Sequence, residues 1–270
     1  MAGCVRRFRG KEGVPAFLAE EYAPKTARYC VCIPVINEGE RILKELDRAV
    51  AAGAPDIADI LICDGGSTDH STEGMDRRGV NTLLIKQGPG KQGAQLRMGF
   101  WFALKRGYQG IITIDGNNKD SIEDIPAFIE KLEQGYDFVQ GSRFIRGGRA
   151  VHTPFMRYWA VRLIHAPVIS AAARHWFTDT TNAYRGYSSR YLRSRQAGVF
   201  RDIFAGYELL AYLSVRASQI GLKVCEIPVR REYPAGEKTP TKISGYRGNL
   251  ELLKILLRNL TGKYRPGKRS

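Results

Sequence analysis

Three observations predict an α/β chain built on a mostly parallel central sheet with helices on both faces. Short apolar runs alternate with segments of helical period between residues 29 and 140. Two of those runs, 57–63 and 111–114, stop on a carboxylate and a glycine, Asp64-Gly65 and Asp115-Gly116. Buried parallel strands that deliver acidic groups to a ligand-binding rim have this pattern. Apolar residues make up 43% and charged residues 26% of the 270, a globular balance with enough material for a substantial core.

Each element follows from local signals. Residues 1–27 read as a basic leader, and the body of the fold is expected over 28–245. Residues 29–34 (YCVCIP) form the first strand, closed by Pro34. Asn37-Glu38 opens a helix with Ile42, Leu43, Leu46 and Val50 on one face, stopped by Gly53 and Pro55. The next strand delivers Asp64 to the turn Asp64-Gly-Gly-Ser-Thr-Asp69. There Ser67, Thr68 and Asp69 are expected to cap a following helix whose amides face the same ligand. A strand over 82–86 precedes the turn Gly88-Pro-Gly-Lys-Gln-Gly93 and a helix over 94–105. Strand 111–114 leads into Asp115-Gly-Asn-Asn-Lys-Asp120, then a helix through Ile125, Phe128, Ile129 and Leu132. Strand 136–140 runs into Gly141-Ser-Arg-Phe144. Right-handed crossovers put the loops after Pro34, Cys63 and Ile114 on one rim, which gathers Asn37, Glu38, Asp64 and Asp115.

The second half is expected to hold an apolar helix over 156–173, broken by Arg157, Arg162, His165 and Pro167. A strand near 183–187, a helix over 202–218 and a strand over 223–229 follow. A polar loop, 233–242, precedes the C-terminal amphipathic helix and basic tail, 246–270.

The formal charge is +15, from 42 Lys+Arg against 27 Asp+Glu, which favours a polyanionic partner or an anionic surface. The five cysteines (Cys4, Cys30, Cys32, Cys63, Cys225) lack metal-type spacing, and four lie in or beside apolar runs, as reduced core thiols in a cytosol do. The N-terminus lacks the apolar core of a signal peptide, and no uncharged run of about 18 apolar residues exists to span a membrane. Two carboxylate turns with a Gly-rich basic loop between them suit a nucleoside diphosphate. Gly88, Gly90 and Gly93 would allow close backbone approach, and Lys91 or Arg97 would supply charge. The loop lacks the spacing and terminal Lys-Ser/Thr of a Walker motif, which argues against a P-loop NTPase.

Taken in order, Pro34-Val-Ile-Asn37-Glu38, Asp64-Gly-Gly-Ser-Thr-Asp69, Lys91-Gln-Gly-Ala94, Asp115-Gly-Asn117 and Gly141-Ser-Arg-Phe144 resemble the motifs of family 2 glycosyltransferases, whose fold is GT-A. The resemblance is closest to the dolichyl- and polyprenyl-phosphate sugar synthases. It continues through Thr178-Asp179, Tyr184-Arg185-Gly186, Glu226-Ile-Pro-Val229 and Pro240-Thr-Lys242. It implies an inverting hexosyltransferase using a nucleotide-diphospho-sugar donor. Pro34, Asn37, Glu38, Asp64, Gly66, Ser67, Lys91, Gly93, Asp115, Gly116 and Asn117 would form the donor site. Asp115 would hold a divalent cation, Mg2+ or Mn2+. Asn117 stands where the family's metal motif carries a second Asp, and Asp120 is a substitute ligand.

The resemblance also implies that Arg143 and Arg157 bind an acceptor phosphate, with Arg185 and Lys242 completing the anionic site. A lipid-phosphate acceptor is already ionised and needs no strong base. A saccharide hydroxyl would need one, for which Asp179 and Glu208 are the candidates. The apolar faces of helices 156–173 and 249–260, with Lys263, Arg265, Lys268 and Arg269 in the tail, suit peripheral contact with the cytoplasmic face of a membrane or a second copy of the chain. A basic nucleic-acid-binding protein is the reading from another class. It is disfavoured by the acidic rim and by the absence of any RNP-like, helix-turn-helix or zinc pattern. A sugar nucleotidyltransferase is disfavoured by the missing early Gly-rich activating loop.

Overall fold

The computed structural model describes residues 4–234 and 245–267. Its strands are β1 (Cys4–Phe8), β2 (Phe17–Glu21), β3 (Tyr29–Val35), β4 (Ala58–Asp64), β5 (Val80–Lys86), β6 (Gly110–Thr113), β7 (Phe138–Ser142), β8 (Arg149–Val151), β9 (Arg185–Ser188), β10 (Val224–Pro228) and β11 (Arg230–Glu232). Nine of them make one sheet in the order β1-β2-β5-β4-β3-β6-β9-β7-β10, and β8 and β11 pair separately. Only β2 and β9 run against the other seven strands of the sheet, so the expected mostly parallel sheet is present. The β3–β4 and β3–β6 pairs bring the carboxyl ends of three parallel strands to one rim.

The helices are α1 (Glu40–Ala51), α2 (Ala54–Ile57), α3 (Gln92–Lys105), α4 (Ile125–Glu133), α5 (Phe155–Ala160), α6 (Ala166–Ala173), α7 (Ser189–Arg193), α8 (Glu208–Gln219) and α9 (Gly245–Leu260). Strand alternation decides which face each residue serves. Cys30, Cys32, Leu61 and Cys63 pack with Phe100, Ile169, Leu213 and Ile255 on one face. Val31, Ile33, Ile60 and Ile62 pack with Ile42, Leu46 and Phe128 on the other. Both cores exclude water from nearly every residue of β3, β4, β6 and β7, which is why these strands read as unbroken apolar runs. The one charge within β4 before Asp64 is explained: Asp59, at the end of β4 away from the rim, accepts hydrogen bonds from Thr26, Ala27 and the Tyr108 hydroxyl.

Three expectations need correction. The first 27 residues hold β1 and β2, which extend the sheet beside β5, and Phe8 and Phe17 stack at 4.6 Å against Trp101 and Phe102 of α3. These short, charged strands carry too little periodicity to be read in sequence. The turn after Asp64 starts no capped helix; only a 3-10 turn, Met75–Arg77, interrupts the coil before β5. The helix expected over 156–173 is α5 and α6 joined through a π-helical turn, Val161–His165. Pro167 lacks an N–H and crowds the preceding turn, and widening that turn to i→i+5 bonding keeps the helix continuous.

Candidate active site

Asp64 is 3% exposed at the end of β4. Its carboxylate accepts from the Gly66 amide at 2.8 Å, the Ser67 amide at 3.1 Å and the Ser67 hydroxyl at 2.6 Å. Gly66, at φ +96°, makes the bend that aims both amides back at Asp64. The same turn binds the loop after β3. Asn37 accepts from the Thr68 amide and its own amide donates to Ser67, while the Glu38 and Gly39 amides donate to Ser71 and Asp69. The two N-terminal motifs therefore form one hydrogen-bonded unit, and Ser67 and Asp69 serve the neighbouring loop rather than a helix of their own. Glu38 pairs with Arg41 at 2.9 Å, and Pro34 lies on β3 beyond Thr113, the last partner in β6.

Asp115 follows β6 on the same rim, with its side chain 21% exposed. Gln92, at the first position of α3, donates to it at 3.0 Å, and Gln95, one turn on, donates to the Val35 and Cys63 carbonyls. One face of α3 thus ties together the ends of β3, β4 and the Asp115 loop. Gly93 serves packing rather than a ligand: a Cβ there would lie 2.5 Å from the carbonyls of Phe204 and Gly206. Arg97 is likewise committed inside the protein, to the Phe204 carbonyl and Asp202, and does not reach the rim; Lys91 is exposed.

Around Asp115 lie Arg231, Asn117, Asp120 and Lys119. Arg231 pairs with Asp115 at 3.3 Å and with fully buried Asp120. Burial pushes the Asp120 carboxyl up to about 6 against the lowering pull of Arg231. Below it, burial raises Glu45, which accepts from the Asn118 amide at 2.7 Å. Among the described residues no cluster of three His, Cys, Asp or Glu side chains is arranged to hold a metal. A mixed oxygen set is present instead. The amide oxygens of Asn117 and Gln92 are buried without a hydrogen-bond partner, and both residues touch Asp115 through their amide nitrogens. Carboxylate plus neutral amide oxygens is a donor set that fits a hard divalent cation.

The acceptor candidates divide. Arg143 and Asp179, 4% and 0% exposed, form a two-pronged ion pair at 2.6 and 2.9 Å. Burial opposes the Asp179 charge, and Arg143 more than offsets it, holding the carboxyl below its ordinary range. The same loop is held from the other side by Glu226, which accepts from Thr178 and Asp179 amides. Three sequence motifs thus meet in one internal lock, in which Arg143 and Asp179, the candidate phosphate ligand and the candidate base, are each other's partners. Arg185, 1% exposed, donates to the carbonyls of Asn182, Thr180 and Leu210 and is a core brace. Glu208 caps the Gly206 amide at 2.6 Å at the start of α8. Lys242 lies outside the described residues.

Arg157 remains at the surface, on α5, donating to the Tyr233 hydroxyl at 3.0 Å. Tyr233, which sequence reading missed, is the centre of a cationic cluster: the charges of Lys119, Arg157 and Arg231 lie 5.1, 5.7 and 5.8 Å from its ring. Burial raises the phenol, but Arg231 and Arg157 outweigh it, so its pKa is lowered. No spacing announced this cluster, because β11 and α5 are brought together only by the fold.

Comparison with known proteins agrees with this geometry. The profile described as Glycosyl transferase family 2 matches residues 30–205. The chain is 29% identical over 226 residues to the undecaprenyl-phosphate mannosyltransferase of Micrococcus luteus, covering 81% of this chain and 88% of that protein. It is 24% identical over 247 residues to the polyprenol monophosphomannose synthase of Mycolicibacterium smegmatis, covering 88% and 89%. Among solved structures, glucosyl-3-phosphoglycerate synthase from Mycobacterium tuberculosis, in complex with Mn2+, UDP and glucosyl-3-phosphoglycerate, superposes with a TM-score of 0.61. The identity is 18%, over 89% of this chain and 81% of that one, which establishes the shared GT-A fold. With its strand-end carboxylates on one rim and the family profile running through both of their motifs, the chain belongs to glycosyl transferase family 2.

Proposed function

We propose that this glycosyltransferase moves a sugar from a nucleotide-diphospho-sugar to a polyprenyl or dolichyl phosphate at the cytoplasmic face of a membrane, with inversion at the anomeric carbon. The observation that carries the reading is on α5. Arg157, in the cationic cluster beside Asp115, shares that helix with Phe155, Met156 and Trp159, which are 73%, 77% and 42% exposed. An acceptor with an anionic head and an apolar tail matches that arrangement. Leu163 and Ile164 continue the apolar surface, and Leu250, Leu253, Leu257 and Leu260 form a second exposed stripe on α9, near the basic residues Lys263 and Arg265. No described helix is long and apolar enough to cross a membrane.

In this reading the loops carrying Asn37, Glu38 and Asp64 hold the nucleoside, and Lys91 faces the diphosphate. Asp115, with the Asn117 and Gln92 amide oxygens, would hold a divalent cation, which would supply positive charge where the diphosphate departs. Arg157, with Lys119 and Tyr233 beside it, orients the acceptor phosphate. A phosphate oxygen attacks the anomeric carbon from the face opposite the diphosphate. The bond to the diphosphate oxygen breaks, and its electron pair leaves with that oxygen. The acceptor is already an anion, so no side chain has to take a proton. Orientation and charge stabilisation then supply most of the rate. The internal commitments of Asp179 and Glu208 support a phosphate acceptor over a saccharide hydroxyl.

The test is transfer from a panel of UDP- and GDP-sugars to a short polyprenyl phosphate, with Mn2+, Mg2+ or EDTA. Lipid-linked product from one donor is expected. Donor binding without any transfer to lipid would move the acceptor to a saccharide, and Glu208→Gln would then lower the rate about a hundredfold or more while donor binding held. Absence of binding by every donor would overturn the reading.

A further inference from the structure

Arg231 stands opposite Asp120 by construction. The two residues pair across an antiparallel bridge. The backbone is bonded on either side of it, from the Ser121 amide to the Arg230 carbonyl at 3.1 Å and from the Glu232 amide to the Lys119 carbonyl at 2.8 Å. Arg231 is 7% exposed, and its guanidinium reaches two carboxylates through different terminal nitrogens, Nη1 to Asp120 and Nη2 to Asp115 at 3.3 Å. A planar fork suits this bridging, which an ammonium would not reproduce. Arg231 thus bridges two carboxylates, with the Lys119 charge also close to Asp115, and it lies against the carboxylate that the donor-site reading assigns to a metal. Meanwhile the Asn117 and Gln92 amide oxygens beside it are unpartnered.

We propose that Arg231 is the resident cation of the Asp115 site. It is a positioning residue that occupies Asp115 and competes with a divalent ion for it. This rests on the donor-site reading and deepens it. A unit positive charge a few ångströms from a divalent ion weakens that ion's binding strongly, even at a surface-like dielectric. The protein without nucleotide therefore binds divalent ions weakly. Loading requires the guanidinium to yield Asp115 while Asp120 retains it.

The experiment is a Mn2+ titration of the chelator-treated full-length protein without nucleotide, with free Mn2+ read by electron paramagnetic resonance. Arg231→Met removes the competitor and unpairs Asp120, and is expected to bind Mn2+ roughly tenfold more tightly than wild type. Arg231→Met combined with Asp120→Asn strands no buried charge, so it keeps the question answerable if the single variant fails to fold. It is expected to keep part of that tightening, because a carboxylate is lost with the guanidinium, and Arg231→Lys is expected to fall between wild type and Arg231→Met. A role limited to supporting the fold would leave affinity unchanged or weaken it. Mn2+ affinity equal to or below wild type in the folded variants overturns the proposal. A parallel wild-type titration with UDP- and GDP-sugars separates the two readings. Failure of every donor to bind would sink the donor site, while the nucleotide-free Mn2+ result reports on Arg231 alone.

Discussion

Asp115 and Asp179 are both motif aspartates, yet one faces the rim and the other is sealed against Arg143. Their substitutions should separate cleanly. Asp115→Asn leaves Arg231 paired with Asp120, so thermal stability should hold while transfer falls about a hundredfold or more, as for loss of a major charge-stabilising group. Asp179→Asn strands the Arg143 guanidinium in the core and should cost roughly 3–5 kcal/mol of stability, read by denaturant unfolding. His165 adds a pH dependence. Burial and the nearby Arg185 charge push its pKa down to about 4, and its ring bonds Thr180 at 2.6 Å. A base whose folded pKa is depressed stabilises the fold fully above its unfolded value of about 6.5, and loses that contribution as pH falls toward 4. Melting curves between pH 7 and 5 should therefore show a loss on the order of 1–2 kcal/mol that His165→Gln removes.

The elements that carry the proposed acceptor site are α5, its π-helical turn, and β11. Replacing Leu163 and Ile164 with Glu puts charge on an already exposed face, so the melting temperature should change little. Sedimentation with vesicles containing anionic lipid should drop several-fold for that variant, and the loss should persist when salt has screened the basic residues. Equal sedimentation of variant and wild type would remove α5 from the membrane reading. The internal lock of Arg143, Asp179, Thr178 and Glu226 belongs to this scale too. It fixes the loop before β9, and β9 enters the sheet antiparallel between β6 and β7.

At the scale of the whole molecule, two cores on opposite faces of one sheet hold the rim loops, and these are tied to each other by side chains more than by packing. A ligand that spans the Asp64 and Asp115 loops should therefore stabilise the whole protein. Donor nucleotide at about a hundred times its dissociation constant should add about 2.7 kcal/mol. For a chain of this size that raises the melting temperature by roughly 5–10 °C. Lack of any shift with UDP- or GDP-sugars plus Mn2+ would contradict a preformed donor site.

The sequence by itself determined the mostly parallel character of the sheet and the placing of Asn37, Glu38, Asp64 and Asp115 on one rim. Buried parallel strands must be apolar on both faces, and right-handed crossovers leave little choice of where their ends emerge. Family motifs were equally readable, since most sit at a strand end. Only the tertiary structure decided what the charged side chains do. Arg143, Arg185 and Arg97 look like ligands for an anion until the fold gives each an internal partner. Arg231 and Tyr233 look unremarkable until β11 lies beside the Asp115 loop. A guanidinium's role is set by which acceptors lie within about 3 Å of it, and sequence spacing does not encode that distance between segments about a hundred residues apart.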